Sequence, residues 1–111
     1  MTISYDDFTR VDIRVGTVLS AVPNPATRKP ALILEVDFGE EIGVKKASAQ
    51  VTELYRPEQL IGRQVAGVVN FPPKQIAKMI SEALILGFPD VEGRVVLINV
   101  DHPVPNGQRM F

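Results

Sequence analysis

The sequence predicts an all-β domain, a five-stranded Greek-key barrel with a short helix between its third and fourth strands. Three observations predict it. Apolar and polar residues alternate with period two through VDIRVGTVLS (11–20) and again through ALILEVDF (31–38), the pattern of half-buried strands. Between a third and a fourth strand-like run, Pro57 stands where a short helix would begin and Gly62 where it would stop. The run RQVAGVVNF (63–71) is nearly all apolar, as in a strand covered on both faces.

The elements follow in order. SYDDFT (4–9) reads as a short helix with Ser4 as N-cap and two aspartates in the first turn, where the helix dipole favours negative charge. Tyr5 and Phe8, three apart, share a face of it. In the first strand Val11, Ile13, Val15, Thr17 and Leu19 lie on one face, and Gly16 marks a bulge or a sharp coil. PNPATRKP (23–30) is a loop. The second strand puts Leu32, Leu34, Val36 and Phe38 on one face and Ile33, Glu35 and Asp37 on the other.

GEEIG turns the chain into a third strand, with Lys46, Ser48 and Gln50 on one face and Lys45, Ala47 and Ala49 on the other. EALILGF reads as a fifth strand, GRVVLINV as a sixth and VPNGQRMF as a short seventh. Three strands, a helix and two strands is the order of an OB-fold. A tightly coiled barrel needs a glycine in its first strand, which Gly16 supplies. Six short strands could also make a sandwich.

The 111 residues are expected to form a single domain over 1–111. At 45% hydrophobic and 23% charged, the composition is that of an ordinary globular protein. There is no cysteine, hence no disulfide, thiolate nucleophile or Cys-ligated zinc. No stretch approaches the roughly 20 apolar residues that span a bilayer. The acidic start lacks the pattern of a signal peptide, so a cytoplasmic location without membrane insertion is expected. The one histidine, His102, lies in a Pro-bounded turn, and no nucleotide-binding glycine motif or clustered metal ligands occur, so the sequence predicts neither an enzyme nor a cofactor.

A formal net charge of -1 argues against wholesale nucleic-acid binding but leaves room for a local basic patch. The candidate cations form three groups: Arg28 and Lys29 in the first loop, Lys45 and Lys46 on the third strand, and Lys74 and Lys78 in a long connection. In an OB-fold these elements frame the ligand groove. Any one pair alone is equally a solvated face. Tyr55, Phe71 and Phe88 are the candidate stacking aromatics; with so few, backbone and shape recognition of folded RNA is expected over reading of a long single strand.

The long connection is NFPPKQIAKMISEALILG (70–87). Pro72 and Pro73 cannot donate ladder hydrogen bonds, so the fourth strand is expected to stop at Asn70 and Phe71. Lys74 and Lys78, four apart, would share a face if the segment makes a helical turn. Ser81 and Glu82 add donors and acceptors for base edges or a 2'-hydroxyl; the alternative is that they cap a turn.

DIRVG (12–16), VDFG (36–39) and this connection resemble the tRNA-binding domain family, the OB-fold module appended to some aminoacyl-tRNA synthetases and also found alone. GEEIGVKKASAQVTELYRPEQLIGRQV and PVPNGQRM are most similar to small stand-alone bacterial members. The resemblance covers almost the whole chain. It implies tRNA binding with little sequence dependence, no catalysis and a homodimer. It also implies, as an alternative, an export-related chaperone that binds unfolded polypeptide or preprotein. Carried over by position, the RNA-contacting segment falls on Lys74, Lys78, Ser81, Glu82 and Leu84, to which Asn70, Ser48 and Gln50 are added as neighbours. Other members often carry methionine at the Leu84 position and a more basic segment.

Two further expectations concern the ends and the apolar surface. GRVVLINV offers a long apolar edge, and Tyr5, Phe8, Met110 and Phe111 are apolar residues at termini. Residues 1–10 and about 93–111 are therefore expected to be dimerisation extensions, the alternative being that they pack on their own barrel. Phe71, Ile80, Phe88 and Val91 are the candidate peptide-binding residues.

Overall fold

A computed structural model describes residues 1–111. Its axis is β1 (Ile13–Pro23), which pairs antiparallel with two neighbours. Thr17–Pro23 runs against β2 (Leu32–Asp37), and Ile13–Thr17 runs against β4 (Gln64–Val68). Gly16 makes this handover possible. A Cβ there would lie 2.6 Å from Val36 Cγ1 and 2.8 Å from the Phe38 ring and the Asp37 carbonyl oxygen, so only glycine lets β1 come this close to the end of β2. The one register slip falls later, between Val18 and Ser20, so Gly16 is the coil and not the bulge.

β3 (Val44–Ala49) adds to β2 and β7 (Leu84–Ile85) to β4, giving the sheet order β3-β2-β1-β4-β7. With α3 (Pro57–Leu60) between β3 and β4, this is an OB-fold. The predicted inner face of β2 holds: Leu32, Leu34, Val36 and Phe38 are each no more than 1% exposed. Burying each contributes about 1.5–3 kcal/mol. Leu60 of α3 joins the same core, as do Ala47 and Ala49 of β3. At the start, α1 (Tyr5–Thr9) carries the predicted cap: Asp7 N–H donates to Ser4 Oγ and Ser4 N–H to the Asp7 carboxylate. α2 (Gly39–Ile42) forms the turn between β2 and β3.

The second half departs from the sequence pattern in five places. β4 ends at Val68 and not at Asn70, because the Asn70 side chain turns back, accepting from Asp12 N–H at 3.0 Å and donating to Arg10 O at 2.7 Å. The connection is not a helical turn but a hairpin of β5 (Lys74–Ile76) and β6 (Met79–Ser81). Lys74 lies opposite Ser81, while Lys78 occupies the turn, so the two lysines share no helical face. EALILGF breaks at Leu86, where the chain leaves the barrel. β8 (Gly87–Pro89) then pairs with β9 (Val95–Leu97). GRVVLINV is no long apolar edge: only three of its residues are strand, and Leu97 is buried with its N–H given to the Tyr55 hydroxyl.

Asp90 ties the turn of this last hairpin. Its carboxylate accepts from the N–H groups of Glu92 and Arg94 and from Arg94 Nε. Desolvation would raise its pKa; these bonds outweigh that and hold it below the usual value. The expected seventh strand is a single bridge, Arg14 to Arg109, which lays the C-terminal segment along the free edge of β1. No helix is long and apolar enough to cross a membrane.

Candidate nucleic-acid interface

The site is built around the seam where the barrel closes. β3 and β7 are the two edges of the sheet, and no ladder joins them. Glu82 N–H donates to Lys46 O at 2.7 Å. Lys46 N–H donates to Glu82 Oε1 at 3.1 Å, and Ser48 N–H to Ser81 Oγ at 3.1 Å. Two side chains thus accept the β3 amides that a neighbouring strand would otherwise accept. The Ser81 hydroxyl in turn donates to Ala83 O. Glu82 Oε2 lies 4.0 Å from Lys45 Nζ.

This seam brings the predicted basic groups onto adjoining elements. Ser81 holds β6 against β3, so Lys74, opposite Ser81, stands beside the strand that carries Lys45, Lys46 and Ser48. Asn24 in the first loop is buried, and its Nδ2 donates to Ala77 O at 3.3 Å. The loop bearing Arg28 and Lys29 therefore touches the turn bearing Lys78. Gln50 is exposed just past the end of β3. Asn70 is spent on the clamp at the foot of the hairpin. Leu84 is exposed and lines a hollow of about 220 Å3 with Ser48, Phe71, Lys74, Ser81 and Glu82.

Ion pairing divides the cations. Of the twelve lysines and arginines, Arg10, Arg14, Lys45, Arg56, Arg94 and Arg109 lie within 4.0 Å of a carboxylate oxygen. Arg63 instead lies 5.1 Å over the Tyr55 ring. The remaining cations are Arg28, Lys29, Lys46, Lys74 and Lys78, all exposed and without an acidic partner. Each belongs to one of the three predicted groups. Sequence reasoning did not single out Glu35, which lies opposite Lys46 and accepts from Ser20 Oγ, nor Arg56, which shares a cleft with Arg28. Neither carries a local signal, because both are placed by non-local packing.

The remaining candidates fall elsewhere. Tyr55 is engaged by Arg63 and Leu97 and is no free stacking platform, whereas Phe71 is exposed at the groove. Phe88 and Val91 stand on the β8–β9 hairpin, Ile80 on β6. His102 is exposed beside Asp101, 3.3 Å away, in the turn predicted for it. Tyr5 and Phe8 meet Met110 and Phe111 around a second small hollow, so the two termini form one surface.

A family model described as "Putative tRNA binding domain" matches residues 13–109. The chain is 36% identical over 105 residues to the methionine--tRNA ligase of Flavobacterium johnsoniae, covering 95% of this chain and 14% of the ligase. It is 39% identical over 105 residues to that of Methanothrix thermoacetophila, covering 95% and 15%. The chain thus spans only a small part of the length of the ligases it matches. Among solved structures it is similar to the chaperone CsaA from Bacillus anthracis, at 46% identity, TM-score 0.92 and full coverage of both chains. It is also similar to the CsaA chaperone protein from Picrophilus torridus, at 42% identity and TM-score 0.92, covering 99% of this chain and 100% of that one.

Removing the seam's acceptor tests its role in the fold. Ser81→Ala leaves the buried-side Ser48 amide without a partner, which costs about 1–3 kcal/mol. The expected result in urea denaturation is a lower midpoint with an unchanged slope. A midpoint equal to that of the parent chain would remove Ser81 from barrel closure.

Proposed function

This chain belongs to the tRNA-binding domain family, and from that premise we propose that it is a non-catalytic protein that grips tRNA through a basic groove. The groove is framed by β3, the first loop and the β5–β6 hairpin. One observation carries the reading: the exposed arginines and lysines left without an acidic partner are Arg28, Lys29, Lys46, Lys74 and Lys78, all on those elements. These side chains take phosphates, with Lys45 joining them from its weak pair with Glu82. Ser48 and Gln50 offer polar contacts between them. Exposed Phe71 and Leu84 wall a hollow that fits the face of an unstacked base. Asn70, Ser81 and Glu82 act as positioning residues, since their polar atoms hold the hairpin in place. Contacts mainly to phosphate and sugar give binding with little sequence dependence. A tRNA ligand implies a cytoplasmic location.

Backbone strain supports the same site. Ala77 and Lys78 are the only non-glycine residues with positive φ, 43° and 70°. A type I′ turn demands this of both central residues and normally uses Asn or Gly. Such a conformation costs about 1–3 kcal/mol per residue and is retained where function requires it. Here it holds an ammonium group at the tip of the hairpin.

We further propose a homodimer formed through residues 1–10 and about 93–111. Tyr5, Met110 and Phe111 are exposed apolar residues on one surface, where a two-fold partner would bury them. A second function, binding of unfolded polypeptide or preprotein, draws support from Phe71, Ile80, Phe88 and Val91, which are 54%, 47%, 66% and 100% exposed. Solved relatives described as chaperones point the same way.

Three outcomes are expected. Replacing Lys74 and Lys78 together by alanine weakens tRNA binding and flattens the log–log salt dependence by roughly 0.7–0.9 per lost phosphate contact. Titrations that superimpose on the parent chain's would end the groove proposal, and suppression of client aggregation that persists in high salt would favour the polypeptide reading. Lys78→Gly relieves the strained turn, so the melting temperature rises by a few degrees while tRNA affinity falls; loss of stability would contradict the strain argument. Met110→Asp with Phe111→Asp converts the dimer to monomer in sedimentation velocity at low micromolar concentration, and an unchanged sedimentation coefficient would refute this interface.

A further inference from the structure

A second cleft, of about 470 Å3, opens between the first loop and the turn that leads into α3. Its only charged lining residues are Arg28 and Arg56, and no carboxylate lines it. In a chain with thirteen acidic residues, that makes the cleft a focus of positive potential. Its size lies within the range of small-ligand pockets, about 300–1,000 Å3.

The walls are fixed before any ligand arrives. Pro23, Pro25, Pro30 and Pro57 line the cleft; their backbone φ is locked and they present no N–H. Asn24 fastens the loop from within. Its N–H donates to Ala31 O at 3.0 Å, and its Oδ1 accepts from Ala26 N–H at 3.0 Å. Arg56 is anchored through its backbone, whose N–H donates to Gln59 Oε1 at 2.8 Å. A rigid site with few ordering costs gains affinity from each contact.

Both guanidinium groups are available. Arg28 has no acidic partner. Arg56 has Glu58 at 3.3 Å, with both side chains about 70% exposed, being 73% and 68%. Such an exposed pair exchanges easily for a better anion. Guanidinium matches phosphate by a two-pronged fork, which ammonium cannot do.

We infer that this cleft is a phosphate subsite that takes one ribose-phosphate unit of the RNA backbone, with Arg28 and Arg56 as its ligands. The inference rests on the RNA-binding reading and extends the groove past the first loop toward α3. A free mononucleotide carries the same chemistry, and the test separates the two.

Bulk tRNA is titrated against the full chain and three variants at several salt concentrations, alongside 5'-AMP. Arg28→Ala with Arg56→Ala is expected to weaken tRNA binding several-fold and to flatten the log–log salt slope by about 1.4–1.8 for two contacts. Glu58→Gln, which frees Arg56, is expected to tighten tRNA binding. An unchanged Glu58→Gln titration counts against the subsite even if the double-arginine variant is unstable in thermal melts. If the double-arginine variant binds tRNA normally while Lys74→Ala with Lys78→Ala does not, the subsite is refuted and the groove stands. If neither pair matters, the RNA reading itself fails. Saturable 5'-AMP binding that the arginine pair abolishes, with tRNA binding unaffected, would assign the cleft to a mononucleotide and overturn the inference.

Discussion

The barrel closes without a strand ladder between its two edges, and the rest of the site depends on how it does so. Three hydrogen bonds cross the seam, and two of them end on side chains, Ser81 Oγ and Glu82 Oε1. A ladder of backbone carbonyls accepts from β3 only where the partner runs alongside it as a strand. A side-chain acceptor lets the partner arrive at an angle. The residues just before Ser81 are thereby free to form their own hairpin and still be pinned against β3.

The same seam explains how a chain of net charge -1 can present a basic face. Charge acts over about 8–10 Å at ordinary ionic strength, so where the cations lie matters more than their sum. Acidic residues neutralise cations on the other elements. Asp7 and Asp12 take Arg10, Arg14 and Arg109, and Asp90 takes Arg94. Arg14 shows how firm these pairs are: its hydrogen bond to Asp12 outweighs desolvation and raises its pKa. Apart from Arg63, which lies over the Tyr55 ring, what the pairing leaves over is the set of cations on β3, the first loop and the hairpin. Glu35 and Glu82 are the carboxylates inside that face, and both accept bonds from neighbouring protein groups.

The elements that could be read from sequence were those specified locally. Period two exposed the inner face of β2; Ser4 and Asp7 marked the first helix; Pro57 and Gly62 bracketed α3. The hairpin of 74–81 escaped because its turn residues are Ala77 and Lys78, which carry none of the usual turn chemistry. The engagements of Ser81, Glu82 and Tyr55 escaped for another reason. Their partners lie 33, 36 and 42 residues away in the chain, and no spacing rule reaches that far. The basic groups themselves were legible because a barrel's topology, once recognised, assigns each loop a side. Arg56 was not, since only the folded path of the first loop brings Arg28 to it.

The terminal surface and the groove are joined by one carboxylate. Asp12 is mostly buried and accepts from Arg14 Nε at 2.6 Å, while Arg109 Nε lies 3.5 Å from the same oxygen. Its own N–H donates to Asn70 Oδ1, and Asn70 reaches on to Arg10 O. Arg14 also donates to Gly107 O, and Arg109 to Thr9 O. The end of α1, the start of β1, the C-terminal segment and the foot of the hairpin thus meet in a single network. Such partly buried ionic networks are costly to break at one member, because the charge left behind loses its partner. Displacing the C-terminal segment would strip Asp12 of Arg109 and loosen the residue whose amide holds Asn70. The termini therefore help fix where the hairpin begins, and with it the direction in which its lysines point.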